Sequence, residues 1–404
     1  MSFIDNFIKD FIKNNNIIHF DILNNSNYKF HSNFINTILL GHQESKNIVL
    51  TPNTLSNKLI KGNSFNHIPI SIRKQILNNS CYILQYSFII DKRVFNIFFH
   101  IFNNDNPSNA IILQLYNILF FFNYYSHKKP CNQILNIYIY LIDQPKLLPA
   151  KFKILDRENI NTAFTYSCSI NNEIYIFRKE EWFKSIIHES IHSFGFDFSQ
   201  NYSKNNDIYS SKILQKYFNV NFDLHLYESY VDMFAIYINS LFYSFYKTYN
   251  KDSSEFIDKV LKKVNIILKH ELYFSIFQSV KILNFYDINY NDLISNSNKS
   301  YRYDENTPIF SYFFIKTILF YNFNGFFEWC SKNNSNIIDF ECNNKTKDKN
   351  KLTCNKKIKS FCNFIIQNYN KNDLIQTFNF FQKKLINIQN NNFIFNTLRF
   401  TIYG

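Results

Sequence analysis

The chain has 404 residues, and 46% of them are hydrophobic, which is enough to bury a sizeable core and excludes an intrinsically disordered protein. Its formal net charge is +13, and the lysine-rich run 345–359 best fits nucleic-acid binding, although a solvated loop is favoured there. The remaining lysines and arginines are dispersed, and no zinc-finger, RNA-binding-sheet or helix-turn-helix pattern appears. Nucleic acid is therefore not expected as the primary partner. Polar residues interrupt the most apolar stretches, 110–125 and 309–323, so no transmembrane segment is predicted.

Residues 1–80 are rich in asparagine, and the sequence gives them no readable role. Within this region, residues 3–12 repeat phenylalanine and isoleucine at helical spacing, which predicts an amphipathic helix packed on the core. The same stretch contains acidic residues and no continuous apolar run, so it does not resemble a signal peptide. An intracellular protein is expected.

Residues 81–204 are predicted to form an α/β unit, because alternating apolar residues mark several strands around one helical segment. The predicted elements are a hairpin of strands 82–90 and 94–102, a helix from about residue 107, and strands 134–142 and 172–178. The last of these strands leads directly into the next predicted helix.

That helix is predicted over residues 181–194, and it contains the string HExxH at 188–192. Positions four apart lie on one face of a helix, so His188 and His192 can bind the same metal ion. Glu189 lies beside that face, where it can act as the general base for an attacking water. The arrangement predicts a zinc-dependent hydrolase with Zn²⁺ as its cofactor, one ion per chain.

HExxH supplies two ligands, so a zinc site needs a third ligand from elsewhere in the chain. In the metzincin pattern the third ligand position falls on Phe198, whose ring cannot bind a metal. Asp197 is one residue out of that register and follows Gly195, which is expected to end the helix, so a role in the turn is favoured over ligation. Glu228 is the better candidate, because it belongs to an apolar helical segment with Asp232 one turn later.

The pair formed by Glu228 and Asp232 resembles the second motif of the gluzincin metallopeptidases. This resemblance implies that Glu228 is a zinc ligand and that Asp232 orients a ligating histidine by accepting its distal N–H. Residues 161–199 and the segment around Glu228 are also similar to zinc metallopeptidases predicted in large DNA viruses. An ordinary half-buried helix with two acidic residues is the alternative interpretation.

A second resemblance precedes the helix, in the segment from Asn161 to Thr165. In many zincins an edge strand above the active-site helix binds extended substrate through backbone hydrogen bonds, and in gluzincins an Asn-Ala-aromatic string often marks it. Thr162 interrupts that string here. The resemblance implies that Asn161 and Ala163 bind substrate, whereas a turn-forming asparagine is the alternative.

Residues 205–404 are predicted to form a mostly helical lower lobe that carries the third zinc ligand. Its predicted helices span about 211–217, 225–248, 254–285, 308–330, 359–368 and 372–388. Gluzincins usually add a donor for the tetrahedral oxyanion, and the candidates here are Arg302, Tyr303, His225 and His270. Arg302 and Tyr303 lie just before the helix that Pro308 is expected to start, and Tyr303 is the first choice. A tyrosine that only packs is the favoured alternative in a chain with 28 of them.

The seven cysteines are odd in number, lack CxxC spacing and follow no secretory leader. They are expected to be reduced thiols of an intracellular protein. Four of them lie between residues 330 and 362, but their intervals match no common zinc motif, so buried thiols are favoured over a second metal site.

These observations predict an α+β, zincin-like fold of two lobes, with a mixed sheet and the active-site helix in the upper lobe and zinc between the lobes. The predicted function is a zinc metallopeptidase acting on a peptide or protein substrate, in the host cytoplasm or the virion if the source is viral. A catalytically inactive zincin with a structural or virion role is one alternative. A basic nucleic-acid-binding protein is the other.

Overall fold

The computed structural model describes residues 27–55, 62–102, 105–151, 153–199, 204–249, 255–295, 297–340, 354–386 and 396–403. The helix predicted over 3–12 lies outside these residues. So does most of the lysine-rich run 345–359, which is the segment that best fitted a nucleic-acid-binding interpretation.

A six-stranded mixed sheet forms the frame that positions the candidate site. Its strands are β1 (Asn53–Leu55), β2 (Tyr82–Ile90), β3 (Arg93–Ile101), β4 (Ile134–Ile142), β5 (Ala163–Thr165) and β6 (Asn171–Arg178). The strand order is β1-β2-β3-β4-β6-β5, in which β3, β4 and β6 run parallel and the other pairs are antiparallel. Among the described residues, the short strand β5 therefore lies at one edge of the sheet.

Helices surround the sheet and account for most of the chain after residue 204. Through β6 they are α1 (Tyr28–Ser45), α2 (Ile70–Asn79), α3 (Asn109–Ser126) and α4 (Arg157–Ile160). After β6 they are α5 (Trp182–Ser193), α6 (Lys204–Leu214), α7 (Leu226–Thr248), α8 (Phe256–Phe285), α9 (Tyr290–Ile294), α10 (Lys316–Tyr321), α11 (Phe323–Asn333), α12 (Cys354–Ile366) and α13 (Asn372–Ile386). The structure confirms a mixed α+β fold, and the finer two-lobe zincin arrangement stays a proposal.

The two faces of the sheet bury different cores. One face packs against α3 and α5, and its apolar residues join a large core that continues into α7, α8 and the helices after them. The opposite face is covered by residues 65–68 and α2 and buries a smaller, aromatic-rich cluster. The candidate metal-site helix α5, which contains HExxH, thus lies between the sheet and α7, and all its residues from 184 to 193 are buried.

The predicted strands agree with the observed ones within a residue at each end, whereas some helices differ. The segment predicted as one helix over 308–330 begins as a π-helix, Phe310–Ile315, continues as α10, and changes direction at Asn322 before α11. A π-helical turn commonly marks a functional position, and this one contains a residue of the candidate site described below.

Residues of the first 80 contribute to the same sheet and core. Strand β1 pairs with β2, and α1 packs against α3 and α7 through Phe34, Ile35 and Ile38. The division of the chain at residues 80 and 204 remains a prediction. None of the described helices combines the length and the apolar character that crossing a bilayer requires.

The expectation that all cysteines are reduced thiols is wrong for at least three of them. Cys131 and Cys168 form a disulfide between the segments that precede β4 and β6, and Cys354 is also disulfide-bonded. The sequence spacing concealed the first pair, because 37 positions separate residues that the parallel strands bring side by side. Cys81, Cys330 and Cys362 are free thiols.

Candidate metal centre

The metal-site helix α5 has well-defined ends that fix its direction. It begins after Glu181, whose φ of +58° is unusual for a residue other than glycine and whose buried carboxylate pairs with Lys146. It ends at Gly195, where the N–H of Phe196 reaches the carbonyl of Ile191 in a Schellman motif. A Cβ atom at Gly195, whose φ is +71°, would lie 3.0 Å from the Cβ of Cys168, so both conformation and space require glycine there.

Three predicted ligands converge in the structure. His188 and His192 lie one turn apart on α5, and Glu228 reaches them from the first turn of α7. The Nε2 atoms of the two histidines lie 3.3 Å apart, and each is 3.3 Å from Oε2 of Glu228. These three side chains form a group that can hold a metal ion.

A carboxylate lies behind each histidine. Nδ1 of His188 is 3.2 Å from Oδ1 of Asp232, and Nδ1 of His192 is 2.7 Å from Oδ2 of Asp197. A carboxylate at Nδ1 favours the tautomer that carries its proton there, and it leaves the Nε2 lone pair directed at the other ligands. The structure thus places Asp232 in its predicted position and gives Asp197, which was expected in the turn, the corresponding position behind His192.

Two lone pairs and a carboxylate oxygen therefore meet at one point, and a cation would stabilise this arrangement. The surrounding carboxylates also favour a proton on each ring, and a bound cation would replace these protons. Although burial opposes it, the hydrogen bonds to Asp232 and Glu228 raise the pKa of His188, and Asp197 and Glu228 raise that of His192 further. The histidines in turn hold the pKa of Glu228 below its ordinary value against the effect of burial.

The carboxylate behind His188 belongs to a larger buried charge cluster. Asp232 forms ion pairs with Lys184, one turn before His188 on α5, and with Lys316 in α10, whose Nζ is 3.2 Å from Oδ2. All three side chains are almost completely excluded from solvent. The ammonium groups of Lys184 and Lys316 also lie 4.4 and 5.7 Å from the ring centre of Phe400.

Glu189, the predicted general base, lies beside the histidines and is largely buried, at 8% exposure. Burial raises the pKa of its carboxyl group above the ordinary value. It borders a small cavity of about 30 Å³ that is also lined by Ala163, Tyr312 and Phe400. A raised pKa makes a carboxylate a stronger base, which suits a group that accepts a proton and returns it.

A cleft of about 500 Å³ opens beside the candidate site, and Glu228 is the one of the three candidate ligands that lines it. One wall is the edge of the sheet, including Asn161, Phe164 and Thr165, and the other includes Glu228 and Tyr312. Ala163 lies on the edge strand β5, and the carbonyl of Asn161, just before it, accepts a hydrogen bond from the buried guanidinium of Arg178. The two predicted substrate positions thus lie beside the candidate metal centre.

The structure places Tyr303 away from the cleft lining. Its hydroxyl donates a hydrogen bond to Glu305 at 2.7 Å, and its ring packs among other aromatic rings. Tyr312 lies beside the candidate ligands instead. Its ring centre is 6.0 Å from that of His188, burial and the nearby Glu228 carboxylate raise the pKa of its hydroxyl, and it lines both cavities.

Of the three remaining oxyanion candidates, one lines the cleft and two have other hydrogen-bond partners. His225 lines the cleft, whereas His270 is buried against the hydroxyl of Tyr403 and Arg302 donates to the carbonyl of Asp287. Sequence reasoning missed Tyr312 because it lies in a run of phenylalanines and carries no motif.

The sequence does contain a sign of this buried charge cluster. Lys316 is the only charged residue in the apolar segment 309–323, and a buried lysine requires a buried acidic partner. Asp232, in another apolar helix, was the candidate for that partner.

Comparison of the chain with family models, with curated proteins and with solved structures found no match in any of the three.

Proposed function

We propose that this protein is a zinc-dependent metallopeptidase in which His188, His192 and Glu228 bind the metal and Glu189 is the general base. The observation that carries the proposal is the convergence of three ligand atoms, each 3.3 Å from the other two, beside an open cleft that Glu228 lines.

The ligand atoms fit zinc in both type and spacing. Zinc sites with two histidines and one carboxylate have bond lengths of roughly 2.0–2.1 Å, and the edges of such a tetrahedron measure about 3.3–3.4 Å. The observed triangle of nitrogen and oxygen atoms has sides of this length. Three protein ligands leave a fourth position, as catalytic rather than structural zinc sites do.

Zinc at this site would supply Lewis acidity, which polarises a carbonyl and lowers the pKa of water towards 7. Glu189 would take a proton from the water that attacks the peptide carbonyl carbon, and it would return this proton to the nitrogen of the breaking C–N bond. The Tyr312 hydroxyl, which lies near Glu228, would donate a hydrogen bond to the oxyanion. Asp232 and Asp197 would keep both imidazoles oriented.

The edge strand supports a peptide as the substrate. A strand that ends a sheet has unpaired backbone groups, which an extended peptide can satisfy by adding as a further strand. Strand β5 is such an edge. Its residues line the cleft together with Tyr312 and the small cavity together with Glu189. A peptide bound there would carry its carbonyl groups past the metal ligands.

The first test is metal content by mass spectrometry on purified protein. We expect about one zinc per chain in the wild type and its loss in Glu228→Ala and in His192→Ala. His225→Ala is the matched control, because His225 lines the same cleft outside the ligand group and its variant should retain zinc. A metal-free wild type under zinc-replete conditions would contradict the proposal.

The second test is hydrolysis of a peptide library. Glu189→Gln should retain zinc and lose cleavage, and Tyr312→Phe should lower kcat by about 10²-fold. Tyr303→Phe serves as the comparison, because its hydroxyl is bound to Glu305, and we expect a much smaller change. Zinc binding without any cleavage would favour a catalytically inactive zincin instead.

A further inference from the structure

Four aromatic rings form a stack that crosses four neighbouring strands of the sheet. The rings of Phe98, Tyr138, Tyr175 and Phe164 lie on β3, β4, β6 and β5, and consecutive residues are direct partners in the sheet register. Their ring centres are 5.1, 4.9 and 4.7 Å apart, with interplanar angles of 13°, 20° and 10°. Neighbouring strands are separated by about 4.7–4.9 Å, so the stack repeats with the sheet itself.

The two ends of this stack differ. At one end, Phe98 is buried and its partner on β2 is Gln85, so the aromatic series stops there. At the other end, Phe164 is half-buried, lies on the edge strand and lines the cleft. The stack is therefore open on the side where a substrate strand would bind.

The backbone of β5 favours an added strand in one register. The carbonyl of Thr162 accepts the N–H of Phe177 at 3.0 Å, and backbone groups alternate in direction along a strand. Phe164 therefore turns its N–H and C=O towards β6, while Ala163 and Thr165 turn theirs towards the open edge. A residue opposite Phe164 on an added antiparallel strand would form a non-hydrogen-bonded pair, in which Cα atoms approach to about 4.5 Å.

The space next to Phe164 is bounded by other rings. The His67 ring centre is 6.0 Å from that of Phe164 and 6.3 Å from that of Tyr166, and all three residues line the cleft. Pro69 and Phe177 line the same part of it. A side chain placed there would meet aromatic or apolar surface on several sides.

We infer that the cleft contains a subsite for an aromatic side chain, in which a phenylalanine or tyrosine of an extended peptide stacks on Phe164 as a fifth ring. This inference rests on the proposed peptidase function and deepens it by naming the substrate class. Successive side chains of a strand point to opposite faces, so the residues on either side of the stacked one would face the metal-site helix. The aromatic preference should therefore occur at one fixed distance from the cleaved bond.

The experiment measures binding and cleavage separately. A set of fluorescent peptides carries phenylalanine, leucine, alanine or aspartate at each position in turn. Affinity is measured by anisotropy on zinc-loaded Glu189→Gln protein, and cleavage is measured on the wild type. At one position, phenylalanine should bind at least about tenfold more tightly than alanine, because stacking adds to apolar burial.

Substitution of Phe164 then tests the stack itself. In Phe164→Ala the ratio of affinities between the phenylalanine and alanine peptides should fall to about twofold or less, and Phe164→Tyr should restore it. Phe164→Leu keeps the apolar character without the ring and should restore only part of it. Zinc content and far-UV circular dichroism, which these substitutions should not change, verify that each variant is folded.

The outcomes separate the subsite from the peptidase. Equal affinity for the phenylalanine and alanine peptides at every position, or a preference that persists in Phe164→Ala, overturns the subsite even if the wild type cleaves peptides. An aromatic preference that depends on Phe164, without any cleavage by the wild type, supports the subsite and overturns the peptidase. Absence of both binding and cleavage overturns both.

Discussion

The two histidines of the candidate metal centre are supported in different ways. Behind His188, Asp232 is enclosed by two buried lysines, and the ring of Phe400 covers both ammonium groups. Behind His192, Asp197 is buried in the turn after α5 and accepts a further hydrogen bond from the Ser199 hydroxyl at 3.0 Å. One carboxylate neutralises cations in the protein interior, whereas the other mainly orients a ring.

This difference indicates that Asp232 contributes more to stability and Asp197 more to metal binding. Removal of Asp232 would leave two buried positive charges without their partner, and an uncompensated buried charge is strongly destabilising. Removal of Asp197 would leave only a histidine that can lose its proton. We therefore expect Asp232 to contribute to the fold as a whole and Asp197 to contribute mainly to the metal site.

The largest effect is expected from Asp232→Asn. The amide keeps the size of the carboxylate but not its charge, so Lys184 and Lys316 lose their buried counterion, which costs roughly 3–5 kcal/mol of unfolding free energy. Urea denaturation of the metal-free protein would measure this loss. Asp197→Asn, measured in the same way, is the matched control. An equal loss of unfolding free energy in both variants would contradict the larger contribution expected from Asp232.

The second effect concerns how the free energy of unfolding depends on pH, and it arises from a buried carboxyl group near Lys316. Glu271 is buried near Lys316 and accepts hydrogen bonds from residues 401–403, and burial raises the pKa of its carboxyl group from 4.5 to about 7. The folded state therefore binds this proton more tightly than the unfolded state. The stabilisation of the folded state by this bound proton is complete below about pH 4.5 and is lost as the pH rises through 7.

Glu271→Gln isolates this contribution. The unfolding free energy of the wild type minus that of the variant should fall by roughly 2–3 kcal/mol between pH 4.5 and pH 8. Denaturant titrations of both proteins across this range provide the measurement. A difference that does not change with pH would show that Glu271 ionises in the folded protein as it does in the unfolded chain.

The smallest effect on folding is expected from Asp197→Asn, whose consequence should appear in metal affinity. Loss of a carboxylate behind a ligating histidine typically lowers affinity by about 10–100-fold. Competition with a chromophoric chelator would measure the zinc dissociation constant of each protein. An affinity equal to that of the wild type would assign Asp197 to the turn alone, as its sequence position first suggested.

Much of the fold was predictable because its signals are local. The alternation of apolar residues located the hairpin and strands β4 and β6, and helical spacing located α7 and α8. The spacing of four residues within each motif placed His188 beside His192, and Glu228 beside Asp232, on single helix faces. The contact between the two helices then brought the three ligands together.

The features that were missed depend on contacts between distant parts of the chain. Tyr312 reaches Glu228 only because the π-helix after Pro308 packs on α7, and a tyrosine among phenylalanines gives no local sign of that contact. Tyr303 was chosen for its proximity to the same helix start, but its hydroxyl is bound to Glu305. Asp197 is close in sequence to His192, yet its role depends on the turn that Gly195 permits.

The disulfide beneath Gly195 has a practical consequence for anyone who purifies the protein. Cys131 and Cys168 are 37 positions apart, and a crosslink of this length restricts the unfolded chain by an amount worth about 4 kcal/mol. Thiol reductants of the kind commonly added to buffers can open such a bond, here next to the end of α5, and they would also compete for the zinc proposed at the candidate site. Preparations made with and without such reagents would then differ in two properties at once, so metal analyses should begin from samples in which the bond has been verified.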